Sequence, residues 1–266
     1  MFTEDSAMAD IGVPTADGGS VNDKGSWEEY WHGVRTGRLE EPPWNWDPER
    51  AADCYLSQRE ALGDAFDPSL LLIDLGCGDG SLTRYLARTH TRVLGVDVSE
   101  SALDQARRQN PAPNVRYQRF DITDEAAARE LHRRQGDAHI HLRGVVHSIA
   151  PADRKAALAS LAVLAGERGT VFDIELSPAL DAAQAETVRA HGQLPDRMEH
   201  VGDSGLRAQR LTASELAELY EGAGFAVRAG GEYSGRSSMR MPDGSCFVYP
   251  MVYVLAVPAH STGRVS

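Results

Sequence analysis

The chain has 266 residues, is 42% hydrophobic and 25% charged, and carries a formal net charge of −12, proportions that suit one soluble enzyme-sized domain with a full core. The acidic balance argues against RNA or DNA as a substrate, because phosphate-backbone affinity comes from clustered Lys and Arg. No window approaches the apolar length of a membrane span, the start lacks a signal peptide's basic and apolar regions, and Cys54, Cys77 and Cys246 show neither a paired framework nor metal-ligand spacing; a cytoplasmic setting without a membrane partner is expected.

Residues 1–24, acidic and rich in Gly, Ala and Asp, read as a disordered tail. From 25 to 68 the composition changes, and every tryptophan of the protein falls in this stretch. Trp27, Tyr30 and Trp31 recur at helical spacing, whereas Glu41-Pro-Pro-Trp-Asn-Trp46 cannot continue a helix, since proline lacks the donor and restricts its predecessor. A helix, a rigid aromatic loop carrying Trp44 and Trp46, and a second helix from about Pro48 to Phe66 form an N-terminal cap; packing of these rings onto a sheet explains the pattern equally well.

Next, Leu70-Leu-Leu-Ile73 reads as a buried strand, Asp74-Leu-Gly-Cys-Gly-Asp-Gly80 as a glycine-rich turn, and Ser81 to Ala87 as a helix. Such glycines admit unusual dihedrals and a close ligand, and a helix start offers free N–H groups to an anionic or zwitterionic one. The dinucleotide spacing G-x-G-x-x-G fails, because its third position would be Ser81 or Thr83. Arg92 to Asp97 reads as the second strand, with Asp97 about 20 residues beyond the turn, where a ribose diol is held. Val115 to Phe120 reads as the third, followed by Asp121 and Ile122; as a bare residue, Asp121 could equally cap the helix starting near Asp124.

The pattern acid-x-G-x-G-x-G at Asp74, with strand-terminal acids at Asp97 and Asp121, resembles motif I and its companions in the class I S-adenosylmethionine (SAM) dependent methyltransferases. The resemblance implies SAM as cofactor and S-adenosylhomocysteine as product. It puts Asp74, Gly76, Cys77, Gly78 and Gly80 around the methionine moiety, Asp97 and Val98 at the ribose, and Asp121 and Ile122 at the adenine. Cys77 reads as a small side chain in the turn and not as a nucleophile.

Alternation continues downstream. Asp124 to Arg134 reads as a helix, Ala138 to Val146 as strand four, Asp153 to Ala165 as a helix, Thr170 to Leu176 as strand five, and Ala213 to Gly222 as a helix ended by Gly224. Phe225 to Gly231 and Phe247 to Val257 read as the last strands, an antiparallel hairpin joined through Glu232 to Cys246. The resemblance then implies an α/β, doubly wound, seven-stranded Rossmann-like sheet of order 3-2-1-4-5-7-6 with strand 7 antiparallel. That methyltransferase domain would span 69–258, preceded by cap helices over 25–68 and followed by a tail over 259–266.

Chemistry is expected beyond strands four and five. Arg143-Gly-Val-Val-His-Ser-Ile149 resembles a family segment whose first residues touch the methionine end of the cofactor and whose His faces the substrate, so Arg143 is read as cofactor-binding and His147 as a general base; a histidine that only holds the strand-to-helix loop by hydrogen bonds fits the residue equally well. Asp173 and Glu175 are expected on opposite faces or at different depths of strand five, with Glu175 the second catalytic candidate and structural capping its competing role. The insertion 177–211, with His191, Met198, His200 and Arg207, reads as a lid or binding loop, and the Tyr233 to Phe247 connection, with Arg236, Met239, Arg240 and Met241, as an opposite wall. Substrate contacts are assigned to Trp31, Trp44, Trp46, His191 and Arg240; the aromatic cap resembles that of thiopurine or tellurite-resistance methyltransferases. No metal is expected, and His139 and His141 read as packing residues of strand four. The function read is methyl transfer to a small metabolite, as in natural product biosynthesis, with oxygen the first expected acceptor, then nitrogen or carbon. The alternative kept is a protein of this fold that binds SAM without methylating, as a cyclase, dehydratase or regulatory binder. A homodimer is compatible with the sequence.

Overall fold

The computed structural model describes residues 24–40, 42, 44, 47–194, 198, 206, 209–241 and 243–259. The expected tail before Lys24, Trp46, His200, Arg207 and the expected tail after Ala259 lie outside these residues. Strands β1 (Leu71–Leu75), β2 (Val93–Asp97), β3 (Val115–Arg119), β4 (Ala138–Arg143), β5 (Val171–Leu176), β6 (Phe225–Arg240) and β7 (Cys246–Pro258) form one sheet. Its order is β3-β2-β1-β4-β5-β7-β6, with β7 antiparallel to both neighbours. This is the expected doubly wound topology.

Strands β1 and β2 are buried along their full length because helices cover both faces, which is why they read as continuous apolar runs. On one face, α5 (Glu125–Gln135), α6 (Arg154–Ala165) and α8 (Ala213–Gly222) pack into a cluster around Ile73, Ile140 and Val254. On the other, α2 (Pro48–Leu62), α3 (Ser81–Leu86) and α7 (Ala179–His191) enclose Leu72, Phe172 and Leu255. The helix α1 (Lys24–Arg35) lies against α4 (Glu100–Gln109) and buries Tyr30 and Trp31.

The helix starts follow local chemistry. Asp47 accepts from the Glu49 N–H ahead of Pro48, Ser99 from Ala102, Asp124 from Ala127, and Thr212 with Glu215 forms a capping box. Asp124 is therefore the cap of α5, and Asp121 is not. Gly224 follows α8 at φ +84°, as expected of a helix-terminating glycine.

Three expectations are corrected. The Glu232 to Cys246 connection is mostly strand: β6 continues to Arg240 and β7 begins at Cys246, because Gly235, Ser237, Met239 and Met241 alternate inward. Strand four stops at Arg143 and passes into a short 3-10 turn, Val146–Ser148. The insertion after β5 is not simply a loop, since Ala179–His191 folds as α7.

Candidate functional site

The strand order reverses between β1 and β4, the switch point at whose carboxyl strand ends ligands of such sheets bind. The turn after β1 is built from backbone. Gly76, Gly78 and Gly80 have φ of +73°, +54° and +78°, a region that side chains with a Cβ rarely adopt. The N–H groups of Gly76 and Cys77 both donate to the Val96 carbonyl, at 2.8 and 3.0 Å, tying the turn to β2. A Cβ on Gly78 would lie 2.8 Å from the Trp31 ring, and one on Gly76 would lie 2.5 Å from Val145 Cγ2. The turn is thus flanked by the cap on one side and the loop after β4 on the other.

Asp97 ends β2 with its two oxygens accepting from Gly78 N–H and Ser99 N–H, each at 2.9 Å. Burial pushes its carboxyl up to about 6 against the pull of those donors. Asp74 is buried one strand away, where Oδ1 meets His141 Nδ1 at 2.9 Å and Oδ2 accepts from Thr83 Oγ1 at 2.5 Å. Its first effect is to lock α3 to β4, so a ligand ammonium would have to use its remaining lone pairs. Burial, reinforced by the charges of Asp97, Asp74 and Asp79, holds the Cys77 thiol well above its ordinary value, which disfavours a nucleophilic thiolate.

Asp121 accepts from Thr123 N–H and Oγ1 at 2.9 and 2.7 Å and forms an ion pair with Lys24 of α1. Burial opposes the charge, but the Lys24 and Thr123 donors hold this carboxyl below the usual range. Ile122 is buried beside it, and the half-buried Val98 offers its carbonyl to Arg119 Nε at 3.1 Å. At the end of β4, Arg143 Nη1 donates to the Trp44 carbonyl at 3.0 Å. Burial pulls its guanidinium down to about 10, although Tyr249, Tyr233, Asp74 and Glu175 oppose the shift. The Trp44 ring in turn meets Tyr30 and Trp27, with centroids 5.4 and 6.0 Å apart.

His147 and Glu175 come together. Glu175 is fully buried; its Oε1 accepts from Val145 N–H and Val146 N–H at 3.0 and 2.8 Å, and its Oε2 accepts from His147 N–H at 3.3 Å and pairs with His147 Nδ1. Burial alone would raise the Glu175 carboxyl, but the imidazole, the Asp173 side chain and the Val146 N–H reverse this and lower it. His147 Nδ1 lies within ion-pair reach of Glu175 Oε2 but makes no aligned hydrogen bond among the described residues; a proton on Nδ1 would face the carboxylate and leave Nε2 as the basic nitrogen. Because Val145 touches Gly76, the same loop sits beside the glycine turn. Asp173 and Glu175 share one face at different depths, as residues two apart on a strand must, which corrects the expectation that left opposite faces open.

Other expected substrate residues are placed elsewhere. Trp31 packs on Gly78. His191 ends α7 near Asp243, and Arg240 donates to the Gly244 carbonyl at 2.9 Å, so both sit at the β6–β7 tip and not beside His147. Arg236 is exposed, while Met239 and Met241 are buried against the cluster containing Tyr55. His139 lies between Thr170 Oγ1 and the Asp67 carbonyl, both at 2.9 Å, and is stacked on Phe66. Among the described residues, no group of three or more His, Cys, Asp or Glu is arranged to hold a metal ion, and no helix is long and apolar enough to cross a membrane.

Sequence reasoning missed Lys24, Glu28 and Thr83. Glu28 accepts from Ser99 Oγ, Ser101 N–H and Ser101 Oγ at 2.8, 3.2 and 2.6 Å, which fastens the cap to the start of α4. The contact joins residues about 70 positions apart, so no local signal marks it. Thr83 was legible in principle, because it stands one helical turn into the helix that the glycines open.

Comparison with known proteins agrees with this fold. A family described as a methyltransferase domain matches residues 72–169. The crystal structure of a SAM-dependent methyltransferase from Anabaena variabilis ATCC 29413 is 32% identical, covers 90% of this chain and 96% of its own, and superposes with a TM-score of 0.81. N-demethylindolmycin N-methyltransferase of Streptomyces griseus is 36% identical over 73 residues, which are 27% of this chain and 30% of that protein. Ubiquinone biosynthesis O-methyltransferase of Sinorhizobium medicae (strain WSM419) is 35% identical over 107 residues, 38% of this chain and 41% of that protein. The chain therefore spans less than half the length of these two curated relatives. With the glycine turn, the strand-end acids and the terminal hairpin all in place, this chain belongs to the class I SAM-dependent methyltransferases, enzymes whose cofactor is S-adenosylmethionine.

Proposed function

We propose that this protein moves the methyl group of SAM to a hydroxyl of a small metabolite, with His147 taking the proton. The observation that carries this reading is the Glu175–His147 pair on the loop that touches the glycine turn. Bound SAM supplies an electrophilic sulfonium methyl, so most of the work left to the protein is in-line placement of the acceptor. Asp97 holds the ribose diol, Asp121 and Ile122 border the adenine, and Arg143 reaches the methionine end. Trp44 forms the aromatic side of the acceptor space. The acceptor hydroxyl approaches Nε2 of His147, and Glu175 stabilises the imidazolium that forms. The two curated relatives are named for one nitrogen and one oxygen acceptor, so nitrogen is the competing outcome. The deciding experiment incubates the purified protein with methyl-labelled SAM and a small-metabolite extract. Label recovered in a base-stable ether supports the proposal; label only on nitrogen or carbon, or SAM binding without transfer, overturns the oxygen reading.

Calorimetry should also show SAM and S-adenosylhomocysteine binding and no NAD binding, because G-x-G-x-G spacing lacks the dinucleotide turn. NAD binding without SAM binding would remove the cofactor assignment.

A pH dependence follows from Asp97. Only the ionised carboxylate accepts from both ribose hydroxyls, so SAM affinity should fall as pH drops through about 6. Below that value the loss is up to about tenfold per pH unit. For folding, the sign is opposite: with its value raised from 3.8 to about 6, Asp97 contributes stability that is full below 3.8 and lost as pH rises through 6. The rise in Tm caused by SAM should therefore be larger at about pH 8 than at about pH 5. Equal rises at both would disconnect Asp97 from the cofactor.

A further inference from the structure

Behind the Glu175–His147 pair lies a second carboxyl that no step above uses. Asp173 is fully buried on the same face of β5, and its carboxyl meets that of Glu175. Asp173 Oδ2 accepts from the Tyr220 hydroxyl at 3.0 Å, and Tyr220 is itself fully buried on α8. Asp173 Oδ1 has no hydrogen-bond donor among the described residues. The group it faces is another carboxylate.

Two ionised carboxylates in contact inside a protein repel strongly, and an orphaned buried acceptor carries the full cost of its desolvation. One proton removes both problems. Glu175 is the poorer place for it, because its oxygens already face three backbone N–H groups and His147 Nδ1, all of which favour a charged acceptor. Asp173 has one neutral donor, Tyr220, and one empty side.

We infer that Asp173 is a protonated positioning residue: its carboxylic O–H donates to Glu175, so that the pair carries one negative charge and that charge faces His147. The chain of contacts then runs from the Tyr220 hydroxyl to Asp173, from the Asp173 proton to Glu175, and from Glu175 to His147 Nδ1–H, leaving the Nε2 lone pair for the acceptor. Burial, followed by the Glu175 charge, raises the Asp173 carboxyl well above its ordinary value, and burial with the Asp173 charge does the same for the Tyr220 hydroxyl. Were the proton on Glu175 instead, the Glu175 O–H would donate to Nδ1, select the other tautomer, and turn an N–H toward the substrate. Asp173 thus decides which face of His147 is basic. The inference rests on the reading of His147 as a base only for its purpose, and the location of the proton can be measured without turnover.

The test is infrared spectroscopy of the full chain at about pH 8, where Asp97, at about 6, is ionised and contributes no acid band. A protonated-carboxyl C=O band that shifts when aspartate side chains carry ¹³C, and does not shift with ¹³C-glutamate, is expected. Asp173→Asn, which keeps a donor toward Glu175 and adds no charge, should lose the band while ¹⁵N spectra show His147 still as the Nδ1–H tautomer. No acid band in the wild type, a band that follows glutamate labelling, or a tautomer reversed by Asp173→Asn would overturn the inference. Should the variant fail to fold, the isotope labelling of the wild type decides alone. Normal turnover in a His147 variant would remove the base assignment and leave the proton's location standing, so the two failures are separable.

Discussion

His147→Ala is expected to leave SAM affinity nearly unchanged and to lower turnover by about 10²–10⁴-fold, the usual contribution of a positioned general base. The substitution is a clean one for this loop. Glu175 keeps its Val145 and Val146 donors and the backbone N–H of residue 147, since none of these depends on the imidazole. The loop should therefore stay against Gly76, and the cofactor side should be undisturbed. Glu175→Gln is a different perturbation, because a carboxamide turned toward three N–H groups leaves buried donors unmet and lowers Tm together with turnover. A His147→Ala enzyme with normal activity across the pH range would leave proximity as the whole mechanism.

Asp97→Ala is expected to weaken SAM binding by roughly 1.5–3 kcal/mol, the scale of hydrogen bonds to a charged group, or about 10- to 150-fold in Kd. In this structure the carboxylate holds the Gly78 N–H and the Ser99 N–H, and in the proposed reading its remaining lone pairs would take the ribose diol. Asp97→Asn separates these two roles: the remaining amide oxygen still accepts one backbone bond, while the amide N–H₂ cannot accept from a ribose hydroxyl. Calorimetry on both variants, with Tm recorded for each, distinguishes loss of a ligand contact from loss of the turn. Unchanged affinity in a folded Asp97→Ala protein would reduce Asp97 to a turn residue.

The turn itself was legible because its demands are local. Positive φ at Gly76, Gly78 and Gly80 requires glycine, and the flanking strand and helix announce themselves by periodicity. The Asp97 and Asp121 positions were legible because a parallel sheet puts each strand end at the same edge. The length of β6 was also written in the alternation of Ser237, Met239 and Met241 with polar residues, and was obscured by the arginines and glycines around them. The face of Asp173 was a matter of counting by two along β5. The substrate side fared differently: His191 and Arg240 looked plausible by residue type, but both lie at the hairpin tip.

The sequence by itself determined the succession of strands and helices and the glycine turn, because these depend on short-range patterning and on a backbone geometry that few residues permit; the sheet order and the cofactor followed from the family resemblance that the turn and the strand-end acids carry. Only the tertiary structure decided how the acids are used. It turned Asp74 toward Thr83 and His141, engaged Asp121 with Lys24 of the cap, and stacked Asp173, Glu175 and His147 in one buried line. The physical reason is that the role of a carboxylate is set by the donors and charges within a few ångströms of it, and here those neighbours come from elements as much as 97 residues away.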